Sequence, residues 1–210
     1  MSEGLLIRVA VDSTAGNWNA PCSDDGRFCY VPMGSSKFPW HMSTNYDPTY
    51  KKYRKFAEQL LDGAVPRRCI WPAKLPRTGY AHFDPDFLHC TYGDSYEPRG
   101  YKQRGRRIWK LLRDVDQPFI VFYAALRSVN SCDLVYSIIG FYSVRRVVRA
   151  RDVVRSDWPR NAHTRKGAGV DSDDIVVFAS KKNSGRLFHH IPIGFYSRGA
   201  WRIRPKLLRE

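Results

Sequence analysis

Two long apolar, β-branched stretches in the second half of the chain are its strongest periodic signals. Residues 117–126 (QPFIVFYAAL) and 133–148 (DLVYSIIGFYSVRRVV) favour strands, and the turn-forming RSVNSC between them predicts a β-hairpin. Residues 174–180 and 186–193, with a turn at 183–185, predict a second hairpin. Near the N-terminus, residues 5–13 predict a buried strand, and residues 26–33 predict another after the Asp25-Gly26 turn.

Helical periodicity is confined to two segments. In DPTYKKYRKFAEQLLDG, Asp47 suits the N-cap, Pro48 the first turn and Gly63 the position after the end. In RGRRIWKLLRDV (104–115), three aliphatic side chains can face a core while the basic ones point outward. We therefore predict an α+β fold: a single domain over 1–210, with a curved or barrel-like mixed sheet and two or three flanking helices.

Targeting and membrane signals are not evident in the sequence. No apolar run approaches the roughly 18 residues that a membrane span needs, and MSEGLLIRVAVDST does not resemble a signal peptide. We expect a cytoplasmic protein that does not bind membranes; the sequence leaves its oligomeric state open.

The positive charge is regional, which changes the functional picture. The chain carries 35 Lys+Arg against 20 Asp+Glu. Residues 1–98 hold 11 of each, residues 99–166 hold 16 basic against 5 acidic, and residues 167–210 hold 8 against 4. Charge concentrated in this way is typical of a surface that binds a polyanion, since each neutralised phosphate releases condensed counterions. Nucleic acid is the favoured partner, ahead of an acidic protein or an anionic membrane.

The segment AHFDPDFLHC (81–90) has the densest polar chemistry. If it were a strand, His82, Asp84 and Asp86 would share one face, where they could hold a metal ion or a water. Pro85 favours an edge or loop instead, with the aspartates capping backbone N–H groups. The five cysteines are scattered with no CxxC pair, so we expect mostly buried, reduced thiols and no zinc site.

Two further segments offer candidate binding residues. Asp12 and Ser13 follow the first strand, where side chains often project over a site, although they also suit a simple loop opening; Asp12 beside Asp84 or Asp86 would form a carboxylate pair for acid–base or magnesium chemistry. WPRNAHTRKG (158–167) and SKKNSGR (180–186) read as exposed basic segments that neutralise phosphates, with Asn161 able to read a base edge. The alternative for both is a solvated polar loop. Aromatic side chains nearby, Tyr123 and Trp158 above all, could stack on an unpaired base.

Several of these stretches, in this order, resemble one known family. IRVAVDSTAG, DGRFCYVPM, AHFDPD, FIVFYAAL, LVYSIIGFYSV, NAHTRKG and VVFAS are similar to the third class of nucleotide modification-associated domains, found among bacterial and phage genes linked to modified DNA bases. The resemblance implies functional roles for Asp12, Ser13, His82, Asp84, Asp86, Asn161 and His163. The Gly-Asp usual before the central strand is replaced here by Asp116, Gln117 and Pro118.

A looser likeness concerns the central hairpin alone. SIIGFYSV after a strand ending in Phe-Tyr is similar to domains of the pseudouridine synthase and archaeosine transglycosylase (PUA-like) type. That likeness implies a flipped base held between sheet and loop, with a basic rim gripping the strand.

Our leading hypothesis is therefore a DNA-binding protein of base modification or modification-dependent defence, with a nucleotide pocket near Asp12, Asp84 and His163. The alternative is an enzyme that modifies the base or cuts the backbone, with Asp12, His82, Asp84, Asp86 and His163 as catalytic groups; no cofactor is expected, but magnesium is possible for a nuclease. DNA is favoured over RNA, which the charge pattern does not exclude. The predicted nucleic-acid-binding residues are Ser13, Arg104, Arg106, Arg107, Tyr123, Arg127, Trp158, Arg160, Asn161, His163, Arg165, Lys166, Lys181 and Lys182.

Overall fold

A computed structural model describes residues 4–9, 19–29, 33–35, 58–59, 80–96, 104–164, 174–198 and 200–204. Its strands are β1 (Gly4–Arg8), β2 (Ala20–Cys22), β3 (Met33–Ser35), β4 (Tyr80–His82), β5 (Thr91–Ser95), β6 (Phe119–Ser128), β7 (Leu134–Arg149), β8 (Asp174–Ala179), β9 (Gly185–Ser197) and β10 (Ala200–Ile203). Helix α1 spans Arg104–Leu112, and the short 3₁₀ helices η1 and η2 span Ala150–Asp152 and Arg155–Arg160.

The strands form one mixed sheet of eight strands and a separate β3–β4 pair, within the ranges given above. The order β1-β6-β7-β8-β5 runs across the large sheet; β1 and β2 pair with β6 in parallel, and the other pairings are antiparallel. The α+β prediction is therefore confirmed at this level. An open sheet is what these pairings describe, and they give no support for a closed barrel or a PUA-like fold.

The central hairpin is confirmed, whereas the second predicted hairpin is wrong. β6 and β7 pair from Phe119–Ser143 to Arg127–Leu134, as their apolar patterns predict. β8 and β9, in contrast, both pair with β7, β8 along its C-terminal part and β9 along its N-terminal part. β7 is 16 residues long and offers an edge that accepts both strands in succession, so the segment between them is a kink along that edge.

Two apolar layers cover opposite faces of the β5-β8-β7 part of the sheet. On one face, Ile175 and Val177 pack with Ile108 and Leu112 of α1. On the other, Val176 and Phe178 pack with Ala150 and Val153 beside η1. The alternation of β8 side chains thus separates an α1 face from a face covered by residues 150–164.

The prediction of helix α1 is confirmed, and the helix packs closely against the sheet. A Cβ on Gly105 would lie 2.1 Å from the carbonyl oxygen of Ser95, so a side chain there would push α1 away from β5. The predicted first helix lies outside the described residues except for Glu58 and Gln59, which are helical. No described helix has the length and apolar character needed to traverse a membrane.

Three of the thiols behave as predicted. Cys22, Cys29 and Cys90 are free and buried, and burial is the main cause that raises the pKa of Cys22 and of Cys29 to about 12. Cys132, which follows the β6–β7 turn, is instead disulfide-bonded.

Candidate functional site

A histidine bridged by two carboxylates lies on the face covered by residues 150–164. His163 Nδ1 is 2.5 Å from Asp174 Oδ2, and its Nε2 is 3.0 Å from Asp84 Oδ2. The second oxygen of Asp84 accepts a 2.6 Å hydrogen bond from the backbone N–H of Gly93. Only 14% of the His163 side chain and 6% of each carboxylate are exposed. This bridge joins the start of the 80–96 segment, the end of the covering loop and the start of β8.

The bridge holds the imidazole in its charged form. Burial by itself would lower the pKa of His163, but hydrogen bonds and negative charge from Asp174 and Asp84 outweigh it and raise that pKa from 6.5 to about 10. Both ring nitrogens then donate to carboxylates. The imidazolium is therefore a cationic clamp between two chain segments, with both of its N–H groups already engaged.

The glycine in β5 makes room for this clamp. A Cβ on Gly93 would lie 2.1 Å from Cδ2 of His163, so the imidazole rests directly on the β5 backbone. Gly93 pairs with Val176, a residue of the face that residues 150–164 cover. The missing side chain lets His163 reach Asp84 and Asp174 at once.

A second set of hydrogen bonds ties the same loop to β5. Asn161 is completely buried; its amide nitrogen lies 3.2 Å from Thr91 Oγ1, and its Oδ1 accepts the backbone N–H of His163 at 2.8 Å. Thr91 Oγ1 in turn donates to the carbonyl of Arg160 at 2.5 Å. Asn161, predicted as a base reader, thus supports the loop from inside.

The two aspartates of the HFDPD segment have different partners. Strand β4 ends at His82, and Asp86 begins a tight turn in which its Oδ1 accepts the backbone N–H groups of Leu88 and His89. Its Oδ2 lies 2.8 Å from His89 Nδ1. Asp84 belongs to the His163 clamp instead. The single-face arrangement that alternation predicts does not form for these carboxylates, because the strand stops before them.

Three other predicted binding residues make contacts within the fold. Trp158 donates its indole N–H to the carbonyl of Val153 at 2.8 Å and packs on the η1 layer. Arg127 donates to the carbonyl of Cys132 at 2.5 Å, across the β6–β7 turn. Tyr123 packs near Tyr136 of the neighbouring strand, with ring centroids 6.0 Å apart.

Several of the predicted site residues are not among those that the structure describes. Asp12, Ser13, Arg165 and Lys166 lie outside the described residues, and for His82 only the backbone is described. Among the side chains that are described, no three from His, Cys, Asp and Glu come together in a group suited to a metal ion.

Beside the clamp, a pocket of about 550 Å³ opens at the kink between β8 and β9. We call it the basic pocket. Its lining comprises His89, Arg145, Arg146, Asp157, Arg160, Phe178, Ala179, Ser180, Lys181 and Lys182. Five of these side chains are Arg or Lys and one is a carboxylate, a formal charge of +4 with His89 neutral. Three were predicted as binding residues: Arg160, Lys181 and Lys182.

Asp157 organises two of the pocket arginines. Its carboxylate forms ion pairs with Nη2 of Arg146 at 3.0 Å and with Nη1 of Arg160 at 2.9 Å. The guanidinium of Arg146 also lies 4.3 Å from the ring centre of Phe178. Arg145, Lys181 and Lys182 pair with no acidic group of the described chain. One wall of the pocket is thus fixed, and the other carries uncompensated positive charge.

Sequence reasoning missed Asp174 and most of the pocket. Asp174 ends the acidic run DSDD and is the first residue of β8, whose six residues are all buried, a signal that this carboxylate needs a buried partner. The adjacent Arg145 and Arg146 interrupt the apolar run of β7, which indicates that the surroundings of the strand become more polar at this point. His89 carries no local signal beyond its nearness to Asp86.

The predicted arginine-rich wall is divided between two surfaces. Arg104 pairs with Asp94, which also accepts the hydroxyl of Tyr92 at 2.8 Å. Arg106 and Arg107 are exposed on α1. Because α1 covers the opposite face of the sheet from residues 150–164, these arginines lie away from the basic pocket.

Comparison with family models gives one match, nucleotide modification associated domain 3, over residues 4–209. The chain belongs to this family, as its motifs predict. No curated protein and no solved structure matches the chain.

Proposed function

We propose that this protein binds nucleic acid, DNA in preference to RNA, within a system of DNA base modification or modification-dependent defence. The observation that carries the proposal is the basic pocket beside the His163 clamp. Five cationic side chains converge there on a space of about 550 Å³, which suits a phosphate group together with part of its nucleotide.

The charge of the pocket favours a phosphate over other anions. Arg145, Lys181 and Lys182 are without acidic partners among the described residues, so binding a polyanion leaves no internal ion pair to break. Arg146 and Arg160 are held in place by Asp157, and a guanidinium fixed in this way loses little conformational entropy on binding phosphate. A lone carboxylate ligand would use only part of this charge.

Hydrogen bonds to β5 and to Asp86 support two residues of the pocket. Arg160 directly precedes Asn161, and the backbone carbonyl of Arg160 accepts a hydrogen bond from the Thr91 hydroxyl. The hydrogen bonds that anchor the covering loop therefore also position this arginine. His89 is oriented in the same way by Asp86. Asp86 and Asn161 therefore act in this proposal by positioning residues that contact phosphate.

In this proposal the pocket takes the phosphate and the base is recognised elsewhere. Phe178, the aromatic residue of the pocket, is 9% exposed and covered by Arg146, which leaves little ring surface for stacking a base. Asp84 and His163, which we predicted to contact a nucleotide, are occupied with each other.

The test is fluorescence anisotropy of labelled duplexes in EDTA, with unmodified DNA, base-modified DNA and RNA of the same sequence. The variant K181E/K182E should lower DNA affinity at least ten-fold and reduce the slope of log K against log salt by about two, since each lost phosphate contact removes about 0.9. The matched control R198E/R202E carries the same charge change at the opposite end of β9, on exposed side chains.

Three results would overturn parts of the proposal. Equal affinities for K181E/K182E and R198E/R202E would remove the basic pocket from the interface. Tighter binding of RNA than of DNA would reverse the choice of polymer. Binding that requires a divalent metal, followed by cleavage or an altered base, would make the protein an enzyme.

A further inference from the structure

The exposed side of α1 is a second basic surface, which we call the α1 surface: Arg106, Arg107, Lys110 and Arg113. Positions 106, 110 and 113 follow one stripe of the helix, and 107 flanks it. The helix has no acidic residue in its first turn, and Asp114, paired with Arg113, is the acidic neighbour just beyond its end. Among the described residues, this surface therefore carries four cations and one carboxylate.

Aromatic rings support these cations from beneath. Arg106 lies 5.4 Å from the ring centre of Tyr96, and Arg113 lies 5.6 Å from that of Trp109. Arg149, from β7, lies against both rings at 3.3 and 4.6 Å. Stacking of this kind restrains the guanidinium groups before any ligand binds, and Arg113 is held further by the hydrogen bonds that its Nε and Nη2 donate to Asp114.

The same stacking decides which part of a nucleic acid this surface would contact. Tyr96 and Trp109 meet edge to face and are only partly exposed, and arginines already stack against both rings, so an unpaired base would have to displace them in order to stack. The four cations of this surface are themselves exposed. The surface suits the phosphodiester backbone and is indifferent to base sequence.

The α1 surface and the basic pocket lie on opposite faces of one sheet. Ile108 and Leu112 anchor α1 on the face of Ile175 and Val177, whereas the pocket includes Phe178 of the other face. A single duplex reaches both only by turning around the sheet edge. Bending 20–30 base pairs by 40–90° already costs about 1–6 kcal/mol, and reaching the opposite face demands more.

We propose that the α1 surface binds a second segment of nucleic acid through its phosphates, so that one protein molecule bridges two duplexes. The inference rests on the proposed function for the chemistry of the ligand and adds a second, sequence-independent site. The basic pocket holds one duplex, and α1 holds the other.

The experiment is a capture assay with two DNA duplexes of about 15 base pairs. One is biotinylated and held on beads, the other is fluorescent, and the protein is added at limiting concentration. Wild-type protein should retain the fluorescent duplex. R107E/K110E should reduce that retention at least ten-fold while still binding the immobilised duplex. Both substituted side chains are exposed and make no ion pair or ring contact with described residues, so the fold is expected to be kept.

The outcomes separate the two proposals. If wild-type protein binds neither duplex, the proposed function itself fails. If it binds one duplex and saturates at one per protein, the bridging inference fails and the proposed function stands. Retention that R107E/K110E leaves unchanged while K181E/K182E abolishes it, with a dimer in sedimentation, would mean one site on each of two copies and would also overturn the inference.

Discussion

Replacing His163 with glutamine tests whether the Asp84–His163–Asp174 bridge stabilises the fold as a cationic clamp. The substitution removes the positive charge and leaves two carboxylates, each 6% exposed, close together. Two independent lines give the cost. Breaking a buried ion pair by removing one partner costs about 3–5 kcal/mol. A pKa raised from 6.5 to about 10 corresponds to about 5 kcal/mol of linkage.

The sign of the pH dependence follows from the raised pKa. His163 binds its proton more tightly in the folded chain, so its contribution is complete below pH 6.5 and disappears as the pH rises to about 10. The glutamine variant lacks this contribution at every pH. The difference in unfolding free energy between wild type and variant should therefore be about 3–5 kcal/mol at pH 6 and should shrink steadily toward pH 10.

Urea denaturation followed by circular dichroism at pH 6, 8 and 10 measures this difference. The control is His89→Gln, which removes a second carboxylate-bonded histidine, one that is 26% exposed and pairs with Asp86. We expect at most about 1 kcal/mol from that change. A cost for His163→Gln below 1 kcal/mol, or one equal at pH 6 and pH 10, would refute the clamp.

Two further predictions concern packing and acid stability. Gly93→Ala should cost about 1–3 kcal/mol in the same denaturation assay because its Cβ collides with His163, whereas Gly185→Ala, whose Cβ meets nothing within 4 Å, should leave stability nearly unchanged. Burial is the main cause that lowers the pKa of His190, so stability should fall as the pH drops below 6.5; His190→Phe, which keeps a ring beside Phe28, should be less acid-sensitive, and equal acid sensitivity would contradict this account.

The central sheet could be predicted from the sequence wherever periodicity and pairing are local. The segments of β6 and β7 are both strongly β-prone and are joined by a short turn, so the sequence predicts both the strands and their pairing. β8 and β9 have equally clear strand signals. Their local sequence does not show that both pair with β7, which is long enough to accept the two strands in succession. A short polar segment such as the one between β8 and β9 can either reverse the chain into a hairpin or only kink it.

The candidate site was predictable in its residues more than in its geometry. Asp84 and His163 are singled out by their motifs, yet they lie 79 positions apart, and the third member, Asp174, comes from an acidic run with no motif of its own. Strand alternation predicts Asp84 beside Asp86; the end of β4 and the turn after it give them separate partners. Local patterns identify groups that need partners, and only the pairing of distant strands decides which partners they receive.

The regional distribution of charge is a further case in which local sequence does not give the spatial arrangement, and here the arrangement bears on function. Residues 99–166 carry a net charge of +11, which in sequence suggests one continuous basic wall. The segment includes α1, β7 and the covering loop, and the sheet passes between them, so its cations are distributed over opposite faces. Two arginines three positions apart on β7 illustrate this: Arg146 lines the basic pocket, and Arg149 stacks against Trp109 of α1. Basic residues on a single face of the sheet would bind one duplex. Basic residues on both faces require either two segments of nucleic acid or one segment that bends sharply around the sheet. Because duplex DNA is stiff, two segments are favoured.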